Sequence, residues 1–288
     1  MQRKVYYYTH RVDKKCKGEV MRIRKLALTF VGVLAMASLA ACSSGSQASS
    51  PDSIKSKGKV VVALSPEFAP FEYQTLENGK NTIVGSDVEL AKDIAKELGV
   101  ELELSPMSFE NVLSSLQSGK ADLAISGISK TEERSKVYDF SEPYYTAVNK
   151  VIVKKSDLDK YTSKDTLKSK SVGVQKGSVQ ETMAQKELTG SSLVSLNKNG
   201  NLITDLKSGQ LDAVIFEEPI AKGYVEKNPD LALADVTFDQ ESSDSYAVAM
   251  KKGSTELKEK VDQVVKKLKD EGKIEQYIQE AYDKSVEN

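Results

Sequence analysis

Apolar and polar positions along the chain fall into blocks that switch between strand and helix periods. Lys59–Leu64 (K-V-V-V-A-L) is a short apolar run and predicts a buried strand. Ser86–Leu98 carries Val88, Ala91, Ile94, Ala95 and Leu98 on one helical face. Ser86 and Glu89 predict a capping box at its start, and Gly99 a stop. Residues 100–104 predict a second strand, 111–117 a second helix ending at Gly119, and 121–125 a third strand. The succession β-α-β-α-β predicts a parallel sheet with right-handed crossovers. Residues 256–270 repeat the helical pattern through Leu257, Val261, Val264, Val265 and Leu268. Gly272 breaks it, and residues 274–282 predict a last helix.

The pattern echoes itself. Residues 116–125 read L-Q-S-G-K-A-D-L-A-I and residues 206–215 read L-K-S-G-Q-L-D-A-V-I. Helix end, Gly, Asp and strand recur in register, which predicts two similar α/β lobes. Two extended runs, 148–153 and 245–250, read as crossings of a two-strand hinge. The resulting fold class is α/β, with residues 57–145 and 245–288 in lobe 1 and residues 146–244 in lobe 2. The echoed strands end at Ser126 and at Glu217-Glu218-Pro219, so these residues are expected to face one cleft.

The N-terminal pattern differs. Met21-Arg22-Ile23-Arg24-Lys25 is a basic segment, and residues 26–38 form an apolar stretch too short for an ordinary membrane span. Leu39-Ala40-Ala41-Cys42 closes it, so residues 21–41 resemble a bacterial lipoprotein signal peptide with Cys42 as the lipidated mature N-terminus. Met21 is then the expected true start, and residues 1–20 a misassigned upstream segment. Residues 42–56 are rich in serine and read as a flexible tether. With 41 Lys and Arg against 42 Asp and Glu, no basic surplus points to nucleic acid. The single histidine, His10, and the other cysteine, Cys16, lie before the signal. The mature chain therefore offers no disulfide, no His-based triad and no Cys/His metal site, and no cofactor is expected.

Candidate chemistry concentrates in residues 122–134, D-L-A-I-S-G-I-S-K-T-E-E-R. A strand ends, Ser126, Gly127 and Ser129 follow, Thr131 offers an N-cap, and Arg134 stands one turn into the next helix. Hydroxyls, free N–H groups and a guanidinium suit a carboxylate, although a solvated Arg134 fits the same local motif. Residues 65–73, S-P-E-F-A-P-F-E-Y, read as an aromatic loop whose Phe68 either caps the core or stacks on a ligand.

Three motifs carry a family resemblance over residues 57–282. They are Gly85-Ser86-Asp87-Val88-Glu89-Leu90, the Ser126–Arg134 segment and Val172-Gly173-Val174-Gln175-Lys176-Gly177-Ser178. The chain resembles the amino-acid-binding lipoproteins of ABC importers, the family-three solute-binding proteins, with their two-lobed type II periplasmic-binding-protein-like fold. Ser86 departs from the apolar or aromatic residue usual there. The resemblance implies that Arg134 holds the ligand α-carboxylate, with Ser129, Gly127 and Ser178 adding hydrogen bonds. It further implies that Ser126 faces the α-amino group, that Phe68 and Phe109 sandwich the side chain, and that Glu217, where Asp is usual, binds the α-ammonium. Ser65 stands where a polar or acidic residue often contacts the side chain.

The physics of a zwitterion agrees: its site needs one buried cation and one buried anion, and Arg134 and Glu217 are such candidates on opposite lobes. The expected function is capture of a polar or basic amino acid outside a bacterial, Gram-positive cell, and delivery to a membrane permease. The protein is expected to be a monomer, held on the membrane by lipid on Cys42. The alternative is a lyase or dehydratase-like enzyme using Glu217, Glu67 or Glu72 near the mouth as acid or base. One test follows from the signal alone. Cys42→Ala is expected to release the protein to the medium or leave it unprocessed, read by fractionation and mass spectrometry; a lipid-modified mature variant would refute the assignment.

Overall fold

The computed structural model describes residues 48–238 and 245–287. In chain order, α1 (Pro51–Lys57) leads into β1 (Lys59–Leu64), β2 (Glu67–Phe68), β3 (Glu72–Glu77), β4 (Lys80–Val84) and α2 (Ser86–Leu98). Then come β5 (Glu101–Pro106), α3 (Phe109–Gln117), β6 (Leu123–Ala124), α4 (Glu132–Val137), β7 (Tyr138–Phe140), β8 (Tyr145–Thr146) and β9 (Asn149–Lys154). After two 3-10 turns follow β10 (Ser171–Gln175), α5 (Val179–Glu187), β11 (Ser192–Leu196), α6 (Asn199–Ser208), β12 (Ala213–Glu217), α7 (Glu218–Lys227) and β13 (Leu231–Ala234). The chain closes with β14 (Ser245–Tyr246), β15 (Ala249–Lys251), α8 (Thr255–Asp270) and α9 (Lys273–Glu287).

Two five-stranded sheets, ordered β5-β1-β6-β15-β7 and β11-β10-β12-β9-β13, form the cores of two α/β lobes. In each, a central strand, β1 or β10, pairs in parallel with the echoed strand: Val62 stands opposite Leu123, and Val172 opposite Ala213. The echoed aspartates make equivalent bonds. Asp122 Oδ2 accepts from Val61 N at 3.1 Å and Asp212 Oδ2 accepts from Ser171 N at 2.9 Å. The recurrence in sequence is thus a recurrence in structure.

The sheets are mixed rather than wholly parallel. β15 runs antiparallel to β6 and β7, and β9 antiparallel to β12 and β13. These strands adjoin the interlobe crossings and enter their sheets in the reverse direction. The hinge itself is the antiparallel pair β8–β14, with Tyr246 opposite Tyr145. Of the extended runs expected to cross, 148–153 belongs to the second sheet as β9, and 245–250 divides between hinge strand β14 and first-sheet strand β15.

Several local expectations are corrected. The tether does not run through residue 56. Ser50 and Ser53 form a reciprocal capping box, α1 follows, and Ile54 is fully buried in the core. Lys57 on this helix pairs with Asp122 at 2.5 Å. Serines that read as flexible are here a helix start; residues 42–47, with Cys42, lie outside the described residues. The aromatic loop 65–73 contains β2 and the start of β3, which with β4 make a three-stranded antiparallel meander. The helix expected at residue 111 begins at Phe109, and the strand expected over 121–125 is only Leu123–Ala124.

The capping box at Ser86 does not form. Gly85 is the N-cap, Ser86 is the first helical residue, and Glu89 pairs with Lys92. Packing decides this: Ser86 N donates to Pro70 O, and a Cβ at Gly85 would lie 2.1 Å from the Phe71 carbonyl oxygen. Gly85 also has φ +132, a conformation only glycine adopts readily.

Docking of α1 has a direct test. Ile54→Ala is expected to destabilise the protein by about 2–5 kcal/mol in denaturant unfolding, the usual range for truncating a buried isoleucine. A change within about 0.5 kcal/mol would mean that this stretch is a tether.

Candidate functional site

β6 ends where the sheet meets the cleft, and the next residues turn sharply. Gly127 has φ +52, and a Cβ there would meet the Phe68 ring at 2.6 Å. Glycine is required by both backbone and space. Ser129 bridges to Tyr246 of the hinge. Thr131 caps α4, its Oγ1 accepting from Arg134 N at 3.1 Å. That cap fixes the stem of Arg134, whose Nη1 donates to Ser129 O at 2.9 Å.

Nη2 of Arg134 reaches the other lobe and donates to Gly177 O at 3.1 Å. Gly177 precedes Ser178, the N-cap of α5, whose Oγ accepts from Glu181 N at 3.2 Å. The same loop touches the start of α3: a Cβ at Gly177 would lie 3.2 Å from Glu110 Cα, next to Phe109. Glu217 ends β12, buried, and its charge acts on Arg134. Burial pulls the guanidinium pKa down to about 10, and Glu217 pulls it back up. The group stays charged at neutral pH and keeps N–H donors beyond the two that it gives to carbonyls.

Other bonds join the lobes. Glu110 pairs with Lys176 at 2.8 Å and accepts from Asn197 at 3.3 Å. Asn199 donates to Glu67 O at 3.2 Å, and Tyr282 to Glu226 at 2.5 Å. The structure therefore gathers Phe68, Gly127, Ser129, Arg134, Ser178 and Glu217 around one interlobe cleft, with Phe109 half-buried at its edge. The arrangement offers a half-buried cation on one lobe and a buried anion on the other.

These features meet known proteins at this point. Residues 60–284 match the family model of bacterial extracellular solute-binding proteins, family 3. The chain belongs to that family. It is similar to the arginine-binding extracellular protein ArtP of Bacillus subtilis, 38% identical over 259 residues, covering 88% of this chain and 96% of that protein. It is 32% identical over 248 residues to the L-cystine-binding protein TcyJ of Escherichia coli, covering 85% and 91%. Among solved structures, an amino acid ABC transporter substrate-binding protein, AbpA from Streptococcus pneumoniae, bound to L-arginine, is 70% identical with a TM-score of 0.81, covering 82% of this chain and all of that one. Family-3 proteins are extracellular amino-acid-binding components of ABC importers rather than enzymes, so the lyase reading is not supported.

Some groups beside this candidate site lie differently from the sequence expectation. Glu72, expected near the mouth as a candidate acid or base, is fully buried. Ser126 Oγ donates to Glu72 Oε1 at 2.6 Å and accepts from Ser65 N at 3.0 Å, so this hydroxyl is engaged within lobe 1. Asp87 Oδ2 accepts from Gly127 N at 2.9 Å and from the Tyr144 hydroxyl at 2.9 Å. Burial, then the Asp87 charge, drives the Glu72 pKa well above the usual carboxylate range; burial lifts Asp87 to about 6. Tyr246, in the hinge, is fully buried, and burial with the nearby Glu217 charge holds its hydroxyl well above the usual phenol range. An acid between two aromatics, Phe71-Glu72-Tyr73, was the available signal for a buried carboxyl.

A sizeable cavity lies apart from this chemistry. About 690 Å³ opens between the β3–β4 hairpin, α6, α7 and the end of α9, lined by Leu76, Asn201 and Tyr224 among others. Arg134, Ser178 and Glu217 do not line it. The candidate site is drawn instead from Arg134, bonded to a carbonyl of each lobe and within the influence of Glu217.

Asp87 gives a pH test. Its pKa is about 3.9 in an unfolded chain and about 6 here, so between these values the folded state binds more protons than the unfolded one. The Asp87 contribution to stability therefore falls as pH rises through that window and is level above it. Wild type is expected to lose stability relative to Asp87→Asn over that interval, on the order of 1–3 kcal/mol, in thermal unfolding. A constant difference between the two proteins would place Asp87 at its ordinary pKa.

Proposed function

We propose that this family-3 protein is the L-arginine-binding component of an ABC importer, closing its two lobes on the zwitterion and passing it to a membrane permease. The observation that carries the reading is Arg134, a desolvated guanidinium bonded to one backbone carbonyl on each lobe and under the influence of Glu217. A carboxylate met by its remaining donors, and an ammonium met by Glu217, each bind a different lobe, so ligand affinity includes closure. Phe68 and Phe109 supply π faces for a planar cationic side chain. Similarity to a structure bound to L-arginine and to an arginine-binding relative supports this choice among amino acids. Ser129, Gly127 and Ser178 take the remaining ligand bonds in this reading, with the backbone near Ser126 toward the α-amino group. The same proposal takes lobe 1 as residues 57–145 and 245–288, extended at its start by α1 from Pro51, and lobe 2 as residues 146–244. It also keeps a monomer held by lipid on Cys42 at the outer face of a Gram-positive membrane.

Calorimetric titration with L-arginine tests the clamp. Arg134→Ala removes one partner of a dry charge pair and is expected to cost about 3–5 kcal/mol, roughly two to three and a half powers of ten in Kd. Arg134→Lys is expected to recover little, because an ammonium lacks the bidentate fork. L-argininamide, without the carboxylate, should bind wild type poorly and lose much less on mutation. A folded Arg134→Ala that binds L-arginine within a few-fold of wild type would overturn the assignment.

A further inference from the structure

Behind the Ser126–Gly127 segment lie two carboxyl groups on which no cation among the described residues acts. Each holds one residue of the segment: Glu72 takes the Ser126 hydroxyl and Asp87 takes the Gly127 amide. The groups facing the pair are the Tyr144 hydroxyl from the first crossing, Ser126, the Gly127 N–H and, from the second lobe, the charge of Glu217 on Glu72. Counted as two carboxylates, they leave Glu72 Oε2 and Asp87 Oδ1 buried without a donor among the described residues. Two unmatched anions side by side in a dry core are far costlier than one acid and one anion. One proton on Glu72 makes it a donor to its neighbour and leaves Asp87 to accept from Gly127 and Tyr144.

We propose that Glu72 and Asp87 are positioning residues for amino-acid binding, setting the Ser126–Gly127 segment in its ligand-ready geometry through a proton shared between their carboxyl groups. The argument rests on the reading above that this segment meets the ligand. The positive-φ turn at Gly127 is local, but its orientation toward the cleft is held by the Asp87 bond. Tyr144 brings the first hinge crossing onto the same carboxylate, so segment and hinge share one anchor. Glutamine at position 72 preserves shape, the acceptor for Ser126 and a donor toward Asp87. Alanine preserves none of these.

The test titrates L-arginine into wild type, Glu72→Gln and Glu72→Ala between pH 5.5 and 9, and follows hydrogen exchange at the Gly127 amide without ligand. At pH 7, Glu72→Gln is expected to bind within about threefold of wild type. Glu72→Ala is expected to bind roughly five- to a hundredfold more weakly, the range for leaving a buried polar partner unmatched. As pH rises and Glu72 gives up its proton, the wild-type Kd should climb relative to that of Glu72→Gln; the ratio cancels titration of the ligand itself. Gly127 exchange, corrected for its intrinsic pH dependence, should quicken in Glu72→Ala and not in Glu72→Gln. Equal weakening by Gln and Ala, or a pH-independent ratio, would overturn the shared proton. A folded Glu72→Ala with wild-type affinity and wild-type Gly127 protection would overturn the positioning role. If wild type binds no L-arginine, the ligand reading fails, and the exchange arm still decides the positioning of the segment. If Glu72→Ala does not fold, Glu72→Gln against wild type still decides the shared proton.

Discussion

A desolvated guanidinium is costly, and Arg134 is tolerable only because both lobes answer it. Ser129 O from lobe 1 and Gly177 O from lobe 2 each take one of its N–H groups, while Glu217 supplies the opposite charge. Burial alone would move the group toward neutrality; the carboxylate across the cleft opposes that. The geometry of the cleft follows from this requirement. A lobe that moves away takes with it a carbonyl and a counter-charge, so the charge of Arg134 is best matched when the lobes meet. The exposed pairs such as Lys176–Glu110 add little on their own, because water screens them.

The wall that presents Arg134 is stiff because its backing is buried. Gly127 packs against Phe68, and Asp87, at the start of α2, holds the Gly127 amide. The start of α2 is itself locked onto the turn at Pro70 and Phe71, where Gly85 leaves no room for a side chain. Helix start, meander and ligand segment thus form one packed unit.

The hinge is tied to that unit by aromatic rings. Tyr246 lies 5.1 Å from Phe71, 5.5 Å from Tyr145, 6.2 Å from Tyr144 and 6.3 Å from Phe68 between ring centroids. Tyr145 and Tyr246 belong to the two different crossings, and Phe68 and Phe71 to the wall of the cleft. Edge and tilted contacts at these separations are the favoured arrangements for aromatic pairs. Phe68, the residue read as stacking on the ligand, is thereby in ring contact with the second crossing through Tyr246.

Local periodicity determined much of this protein. The strand at Lys59–Leu64, the helix at Ser86–Leu98, and the strand, small residues, cap and arginine of the 122–134 segment all depend on residues a few positions apart. The echo around Asp122 and Asp212 was legible because the same short bonds recur in each lobe. Tertiary packing decided what sequence separation hides. Ser86 lost its cap to a carbonyl from the preceding turn, and residues 51–57 became a helix because Ile54 had a core to enter. Strand direction in the mixed sheets followed from where the chain crosses between lobes. Glu72 reads in sequence as an acid in a loop near the mouth of the cleft. Its partner Ser126 is 54 positions away, and only the folded sheet brings the two together and excludes the water that would have kept Glu72 an ordinary carboxylate.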